Sequence, residues 1–332
     1  MSKKLLGIDI GSDMLKLAVW DGSHVRRLAA VPLPEGVMAE GRIADTQALS
    51  RFIRDTVRAE RIGARNVALV LPQGSCFTQR LAVSEMTEQQ LLLNLPYEFR
   101  DYIDEDSSRY YFDYALIRRG IGDGEQPVLE IMAACTAKET IREYTSLLQK
   151  AGLTLKIAVP PAIAAWNVLR RYEAFTDDHP SEYCFIDFGH AATRMLMFST
   201  RALEAERAFD TALGDLDRTV SAATGLTGDE LREAVCANTD GCLDTEDAAA
   251  LFTRCGVEAG RAVNFYFYSD RSSQLRTAWA CGGGALLPQL TDAVREELGL
   301  ELLDAAELCA PDDADQELFP LCVGAVGAAI TI

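Results

Sequence analysis

The run Leu-Leu-Gly-Ile-Asp-Ile-Gly-Ser at residues 5–12 decides the fold, because it is a short apolar strand that ends in an Asp-x-Gly turn. The next run, at 14–20, alternates apolar and polar residues and stops at Asp21-Gly22, which is typical of a hairpin turn. Residues 25–33 are a third apolar run. This part of the chain is therefore predicted to be three strands joined by tight turns.

The same opening recurs half a chain later. Ile-Asp-Phe-Gly at 186–189 ends another apolar run, and residues 193–199 and 203–209 are the next two predicted strands. After the first unit, residues 46–60 have helical spacing and residues 67–71 resemble a buried parallel strand. Two matching units predict that the protein is built from a duplicated half.

The two turns carry chemistry that suits a nucleotide. Backbone N–H groups in a tight turn can hold phosphate, and the carboxylates of Asp9 and Asp187 can hold hydrated Mg²⁺. Lys16 can reach a phosphate, although an exposed strand lysine is an equally good interpretation. Cys-Gly-Gly-Gly at 281–284 follows a predicted strand, and its glycines would let the backbone approach a sugar or a base. The alternative interpretation is a plain turn between a strand and a helix. It is neither a GxGxxG nor a GK[ST] motif, so Rossmann and P-loop sites are not indicated.

Residues 84–155 are predicted to be a separate inserted unit. A helix begins at the capping signal Thr87-x-x-Gln90. Two strands at 110–118 and 128–134 flank a glycine-rich turn at 120–124, and a second helix covers 137–151. The order α-β-β-α is expected.

Composition limits the function classes. The chain has 332 residues with a net charge of −18, which excludes broad phosphate binding to nucleic acid and attraction to anionic membranes. Residues 159–332 alone have 12 basic and 29 acidic side chains, which fits either a solvated surface or a basic partner. Nine cysteines without a CxxC pair, three histidines, no signal peptide and no apolar span indicate a reduced cytoplasmic protein without a zinc site or a membrane span.

The order of the three glycine motifs resembles the actin-like ATPase superfamily. The position of the insertion and the lysine at 16 are most similar to the PilM family of type IV pilus assembly proteins, which is related to FtsA. The resemblance implies an α/β, two-lobed actin-like ATPase fold with duplicated ribonuclease-H-like cores. Residues 1–83 and 156–180 would form the first lobe, 84–155 the inserted α-β-β-α subdomain, and 181–332 the second lobe, with a helical subdomain at about 210–274.

The resemblance also implies that ATP and Mg²⁺ lie between the lobes. The nucleotide-binding positions carried over from the family are Asp9, Gly11, Ser12, Lys16, Asp187, Gly189, Thr193, Gly214, Glu230, Gly282, Gly283 and Gly284. Asp9 and Asp187 would be the metal ligands, and Arg232 would lie beside Glu230 on the helix next to the base and ribose.

Three departures from the family pattern predict weak nucleotide chemistry. Asp13 and Met14 replace two serines of the first loop, so an anion stands near the phosphates. His190 stands in the second loop, where small residues are usual. Residues 159–162 offer no Gln or Glu to orient water, so we expect no catalytic residue and little turnover.

The resemblance implies a partner as well. In the family, the N-terminal cytosolic tail of PilN, a bitopic inner-membrane protein, docks between the first-lobe core and the insertion. Motor or platform proteins of the pilus are further possible partners, and the protein would be peripheral at the inner face of the cytoplasmic membrane. The aromatic residues expected to line the groove are Tyr97, Tyr110, Phe112 and Tyr114. The alternative is that they are one face of a hairpin packed on its helices.

Three other functions stay open from the sequence. One is an FtsA-like polymerising protein, although residues 323–330 lack the basic side chains of a membrane-targeting helix and are expected to pack inside. The second is a small-molecule kinase of the same superfamily. The third is a reactivating or chaperone-like ATPase, a class that usually carries larger additional domains.

Overall fold

The computed structural model describes residues 4–104, 106–121, 126–177, 179–199 and 202–330. In chain order its strands are β1 (Leu5–Ile10), β2 (Met14–Trp20), β3 (Val25–Pro32), β4 (Met38–Ala39), β5 (Arg42–Ile43), β6 (Asn66–Val70), β7 (Cys76–Ser84), β8 (Tyr110–Ile121), β9 (Pro127–Ala137), β10 (Thr154–Val159), β11 (Glu182–Phe188), β12 (Thr193–Ser199), β13 (Leu203–Phe209), β14 (Thr277–Cys281) and β15 (Glu301–Asp304). Its α-helices are α1 (Thr46–Ala59), α2 (Glu88–Glu98), α3 (Lys138–Lys150), α4 (Pro161–Phe175), α5 (Leu213–Thr224), α6 (Gly228–Ala237), α7 (Glu246–Ser269), α8 (Pro288–Leu298) and α9 (Phe319–Ala329).

Two five-stranded sheets share one topology. The first has the order β10-β6-β1-β2-β3 and the second has the order β15-β14-β11-β12-β13. In each sheet the first three strands of the unit are antiparallel, and the strand on the other side is parallel to the first. The register places Asp9 opposite Lys16 and Asp187 opposite Arg194. The predicted duplication is confirmed, and the two Asp-x-Gly turns occupy equivalent places.

The inserted unit differs from the sequence prediction at both ends. Strand β7 was not predicted, yet it pairs with β9 in a three-stranded sheet of order β7-β9-β8. Its residues are mostly half-exposed, so it has no apolar run to signal a strand. Helix α3 was assigned to the insertion, but its residues Tyr144, Leu147 and Leu148 pack in the first-lobe core with Leu49 of α1. We propose residues 76–137 for the inserted unit, in place of 84–155; the turn at 122–125 lies outside the described residues.

Helix α9 fills the space between the lobes. It packs on β1, β2, β6 and α4, and nearly every one of its residues is buried. One continuous core holds Trp20 of the first lobe, Phe198 of the second and Val326 of α9. A Cβ at Gly327 would lie 1.8 Å from the Ala164 carbonyl oxygen, so only glycine allows this approach of α9 to α4.

The segment before α9 is tied to the first lobe through a buried carboxylate. Asp313 accepts hydrogen bonds from Arg171 Nη2 of α4 at 2.7 Å and from the backbone N of Val25 at 2.8 Å. A fully buried carboxylate is stable only when it is paired and hydrogen-bonded, as it is here. This contact fixes the direction in which the chain enters α9.

Candidate functional site

The two Asp-x-Gly turns face each other across a cleft between the lobes. The cleft holds a cavity of about 230 Å³, slightly below the ~300–1,000 Å³ of typical small-molecule sites. The predicted residues that line it are Asp9, Gly11, Ser12, Lys16, Asp187, Gly189, Gly282 and Gly283. The structure therefore brings most of the predicted nucleotide positions together.

Lys16 is the positive centre of this cleft. Its Nζ lies 3.6 Å from Asp9 Oδ2. Burial alone would lower the Lys16 pKa, but the carboxylates of Asp9 and Asp187 outweigh burial and raise that pKa above its usual value. Lys16 is therefore protonated and can attract a phosphate.

Asp187 lines the same cavity as Asp9 and is likewise half-buried. Burial raises the Asp187 pKa, which Lys16 opposes and Asp9 reinforces. In the described part of the chain, no three or more His, Cys, Asp or Glu side chains are grouped as metal ligands. Mg²⁺ prefers one or two carboxylates plus waters and phosphate oxygens, so the Asp9–Asp187 pair suits a nucleotide-bound ion and not a protein-only cage.

Gly282 brings the third motif against the second turn. Its φ is +80°, and a Cβ there would lie 2.3 Å from Asp187 Oδ1. Only glycine permits this conformation without strain. The loop after β14 therefore runs directly beside the metal candidate.

The remaining predicted positions lie outside the cavity wall. The Thr193 hydroxyl is buried and donates to the Thr211 carbonyl at 2.7 Å, so it does not point into the cavity. Gly214 donates its backbone N–H to the His190 carbonyl at 2.9 Å, behind the second turn. Glu230 is exposed on α6, and Gly284 is buried against Phe188. These residues support the cleft from outside or do not reach it.

An ion pair between the first turn and helix α6 is a feature of the site that the sequence did not reveal. Arg232 Nη2 of α6 donates to Asp13 Oδ1 of the first turn at 2.9 Å. The other nitrogen, Arg232 Nη1, donates to Asp229 at 2.7 Å. The sequence singled out Asp13 and Arg232 separately, but their contact depends on the docking of the two lobes. One charge pair thus joins the first turn to the second lobe.

His190 adds a second charged group to the second turn. Its Nε2 lies 3.1 Å from Asp217 Oδ2. That hydrogen bond raises the His190 pKa against the effect of burial, and the charge of Asp13 raises it further. The imidazole therefore holds its proton to a higher pH than a free histidine.

Gln73 is the only amide-bearing side chain along the described wall of the cavity. It follows β6 and Pro72, and the sequence prediction did not name it. Helix α4 begins with Pro161 and Ala162 after Pro160, so its first turn has no Gln or Glu that could orient water. Gln73 is therefore the amide of the described cavity wall that could orient a water molecule.

The predicted partner residues fall into two groups. Phe112 and Tyr114 pack against the core formed by α2 and the inserted sheet, with the rings of Phe99 and Phe112 6.0 Å apart. Tyr110 is half-buried, and its ring lies 6.5 Å from that of Phe112. Tyr97 is 72% exposed on α2. The packing alternative fits Phe112 and Tyr114, while Tyr97 alone is fully available to a partner.

A second cavity of about 270 Å³ lies where the insertion meets the two lobes. Its aromatic wall comes from Phe77, Phe99 and Tyr102 of the insertion, and Pro72 and Pro161 form the first-lobe side. The sequence prediction missed this cavity because strand β7, which carries Phe77, was not recognised.

The family model described as type IV pilus assembly protein PilM matches residues 7–307 of this chain. The chain belongs to the PilM family. The protein of the structure titled "PilM-PilN type IV pilus biogenesis complex" is 20% identical, with a TM-score of 0.79 over 99% of this chain and 98% of that one. The ethanolamine utilization protein EutJ from Carboxydothermus hydrogenoformans is 14% identical, with a TM-score of 0.59 over 98% of this chain and 88% of that one. No curated protein sequence is significantly similar.

These likenesses confirm the predicted two-lobed actin-like ATPase fold of this PilM family member. Within the described residues, none of the helices has both the length and the apolar character needed to cross a bilayer.

Proposed function

We propose that this PilM family member is a scaffold of type IV pilus assembly that binds the N-terminal cytosolic tail of a PilN-like inner-membrane protein. The observation that carries the proposal is the likeness to the PilM–PilN complex structure over almost the whole of both chains. The family match favours this role over a cell-division filament or a small-molecule kinase. The same scaffold is proposed to contact motor or platform proteins of the pilus as well.

The tail is proposed to enter the cavity where the insertion meets the lobes. An extended peptide is recognised by pockets for alternate side chains, and Phe77 and Tyr102 offer such a pocket. Tyr97 and Tyr110 would extend this surface along the insertion, while Phe112 and Tyr114 support it from the core. The protein would then lie in the cytoplasm at the inner face of the membrane, held by its partner's tail and not by lipid charge.

The nucleotide cleft is proposed to bind ATP·Mg²⁺ weakly. Lys16 and the turn after Asp187 would hold the phosphates, and the loop at Gly282 and Gly283 would lie against the adenosine. Bound phosphate would add to the negative charge that Asp9 and Asp187 already place around Lys16, with Mg²⁺ offsetting it. The Asp13 carboxylate opposes the phosphates, and little turnover is proposed because no acidic side chain begins α4.

The tail assignment is tested with a synthetic peptide of the cytosolic tail from a single-span membrane protein encoded beside this gene. Tyr102→Ala removes one wall of the cavity where the insertion meets the lobes, which we call the junction cavity. We therefore expect isothermal titration to show about tenfold weaker binding of the peptide. Tyr268→Ala is the matched control, because Tyr268 is an exposed tyrosine on α7. Equal binding by the wild type and Tyr102→Ala, with both proteins folded, would place the tail elsewhere.

A further inference from the structure

The outer side of helix α7 carries a stripe of arginine and aromatic side chains. Arg254, Arg261, Phe265 and Tyr268 are exposed and spaced seven, four and three residues apart, which places them on one side of the helix. Phe265 is 54% exposed and Tyr268 is 76% exposed. The opposite side of α7 is buried in the second-lobe core. The packing of the lobe does not explain this stripe.

Two more arginines join the stripe from neighbouring elements. The guanidinium of Arg207, on the sheet-edge strand β13, lies 4.8 Å from the centre of the Phe265 ring. The guanidinium of Arg271 lies 6.0 Å from the centre of the Tyr268 ring. Such cation–π contacts hold the guanidinium groups over the rings while leaving their N–H donors available. We call these six residues the α7 stripe.

The charge of the stripe is unusual for its surroundings. Every one of the 12 basic residues after position 158 is arginine, among 29 acidic residues. Most arginines of this lobe that the structure describes in ion pairs are matched with a carboxylate close in sequence, as Arg218 is with Asp215. Within the described ranges, by contrast, no carboxylate lies within 4.0 Å of the four stripe arginines.

Glu258 is the one acidic residue on this side of the helix between Arg254 and Arg261. It is half-buried, and its Oε2 accepts from the Thr211 hydroxyl at 3.5 Å. Arg207 Nη1 donates to the carbonyl of Glu206 at 2.8 Å. The other N–H groups of this guanidinium can still donate to a ligand. The stripe therefore presents several guanidinium groups that lack a carboxylate partner.

We propose that the α7 stripe binds an acidic segment of a second partner protein, distinct from the membrane-protein tail. Guanidinium groups bind carboxylates in a bidentate manner, and exposed aromatic and arginine side chains are the residue types that carry most binding energy at interfaces. From Arg254 to Tyr268 the stripe is about 21 Å long, at ~1.5 Å per helical residue. An extended segment of about seven residues would cover it.

The surroundings of the stripe favour a narrow protein segment over a membrane. A flat anionic bilayer would also face the rest of this lobe, where residues 181–332 outside the stripe have 6 basic and 26 acidic side chains. A nucleic acid duplex would meet the same repulsion. A single extended segment contacts only the stripe and avoids the acidic surface on either side.

The test uses the full chain and a fluorescein-labelled peptide of about eight alternating glutamate and leucine residues, long enough for the stripe. Fluorescence anisotropy should give saturable binding that weakens with salt. We expect Arg261→Ser and Phe265→Ser each to weaken binding about tenfold. Arg218→Ser, an exposed arginine of the same lobe paired with Asp215, is the matched control and should leave binding unchanged.

Several results would overturn the proposal. One is the absence of saturable binding, and another is an equal loss in Arg218→Ser. Equally tight binding of a peptide with lysine in place of glutamate would show that binding does not depend on the negative charge of the peptide. If Arg261→Ser instead abolishes retention on phosphatidylglycerol vesicles, or abolishes self-association measured by light scattering, the stripe serves a membrane or a second copy of this chain. Circular dichroism melting of each variant separates lost binding from lost folding.

Discussion

At the scale of single residues, the ion pair between Asp13 and Arg232 bears most directly on the proposed binding of ATP·Mg²⁺. Asp13 stands where the family has serine, and Arg232 reaches it from the other lobe at 2.9 Å. Burial alone would lower the Arg232 pKa, but its hydrogen bond to Asp13 raises it. The pair partly neutralises both charges, which explains how the first turn tolerates an acidic residue.

Asp13→Ser should strengthen the binding of ATP·Mg²⁺ about tenfold, or roughly 1.4 kcal/mol. The substitution removes an anion near the phosphates and frees Arg232 to face them. Isothermal titration measures the change, and Asp229→Ser is the control because it breaks only the second Arg232 contact. Unchanged or weaker nucleotide binding by Asp13→Ser would contradict this account of the cleft.

His190 should make stability depend on pH. Its folded-state pKa is raised, chiefly by Asp217, so its stabilising contribution is complete below the unfolded pKa of about 6.5 and is lost as pH rises through the folded value. Thermal melting of wild type and His190→Gln should therefore differ most below about pH 6. The difference should shrink as pH rises above that point.

Asp217→Asn provides the matching control for His190, because it removes the partner and keeps the imidazole. In that background, His190→Gln should lose most of its pH-dependent effect. A wild-type advantage that grows with rising pH would rule out this assignment.

The sequence revealed single residues better than pairs. Asp9, Lys16 and Asp187 were predictable because each follows from a local turn or strand pattern repeated twice in the chain. The contact between Asp13 and Arg232 was not, because 219 positions separate them. The direction of the Thr193 side chain was not predictable either, because its hydroxyl is turned into the lobe by a hydrogen bond to the Thr211 carbonyl.

At the scale of elements, the errors follow from burial. Strand β7 has few buried residues and was missed, and α3 was placed with the insertion although its apolar face packs on the first lobe. The two sheets were predictable because their apolar strands end in matching turns. A local sequence pattern predicts that a helix or strand forms, but it does not predict against which hydrophobic core that element packs.

Helix α9 should be the element least tolerant of a new side chain. Gly327→Val places carbon atoms where the Ala164 carbonyl lies, so we expect a loss of at least about 2 kcal/mol in the free energy of unfolding. Gly63→Ala is the control, since a Cβ there meets nothing within 4 Å. Urea unfolding measures both, and similar stabilities for the two variants would contradict the close approach of α9 and α4.

At the scale of the whole molecule, ion pairs and packing fix where the candidate binding surfaces lie relative to one another. Arg80 links the insertion to the second lobe, because it pairs with Glu130 at 2.7 Å and Glu204 at 2.6 Å. The nucleotide cleft and the junction cavity share Pro72, Pro161 and Arg194 in their walls, whereas none of the six α7 stripe residues lines either cavity. A scaffold arranged in this way can hold more than one ligand at once.

The position of α9 also sets the order in which the protein can mature on the ribosome. The apolar faces of β1 and β2 are covered by residues 319–329, which are made about 300 residues after those strands. Until that helix emerges, the nascent first lobe exposes part of its core and is open to aggregation. This family member therefore completes its first lobe only after residues 319–329 have been made, and until then the exposed strands are a site where a chaperone can bind.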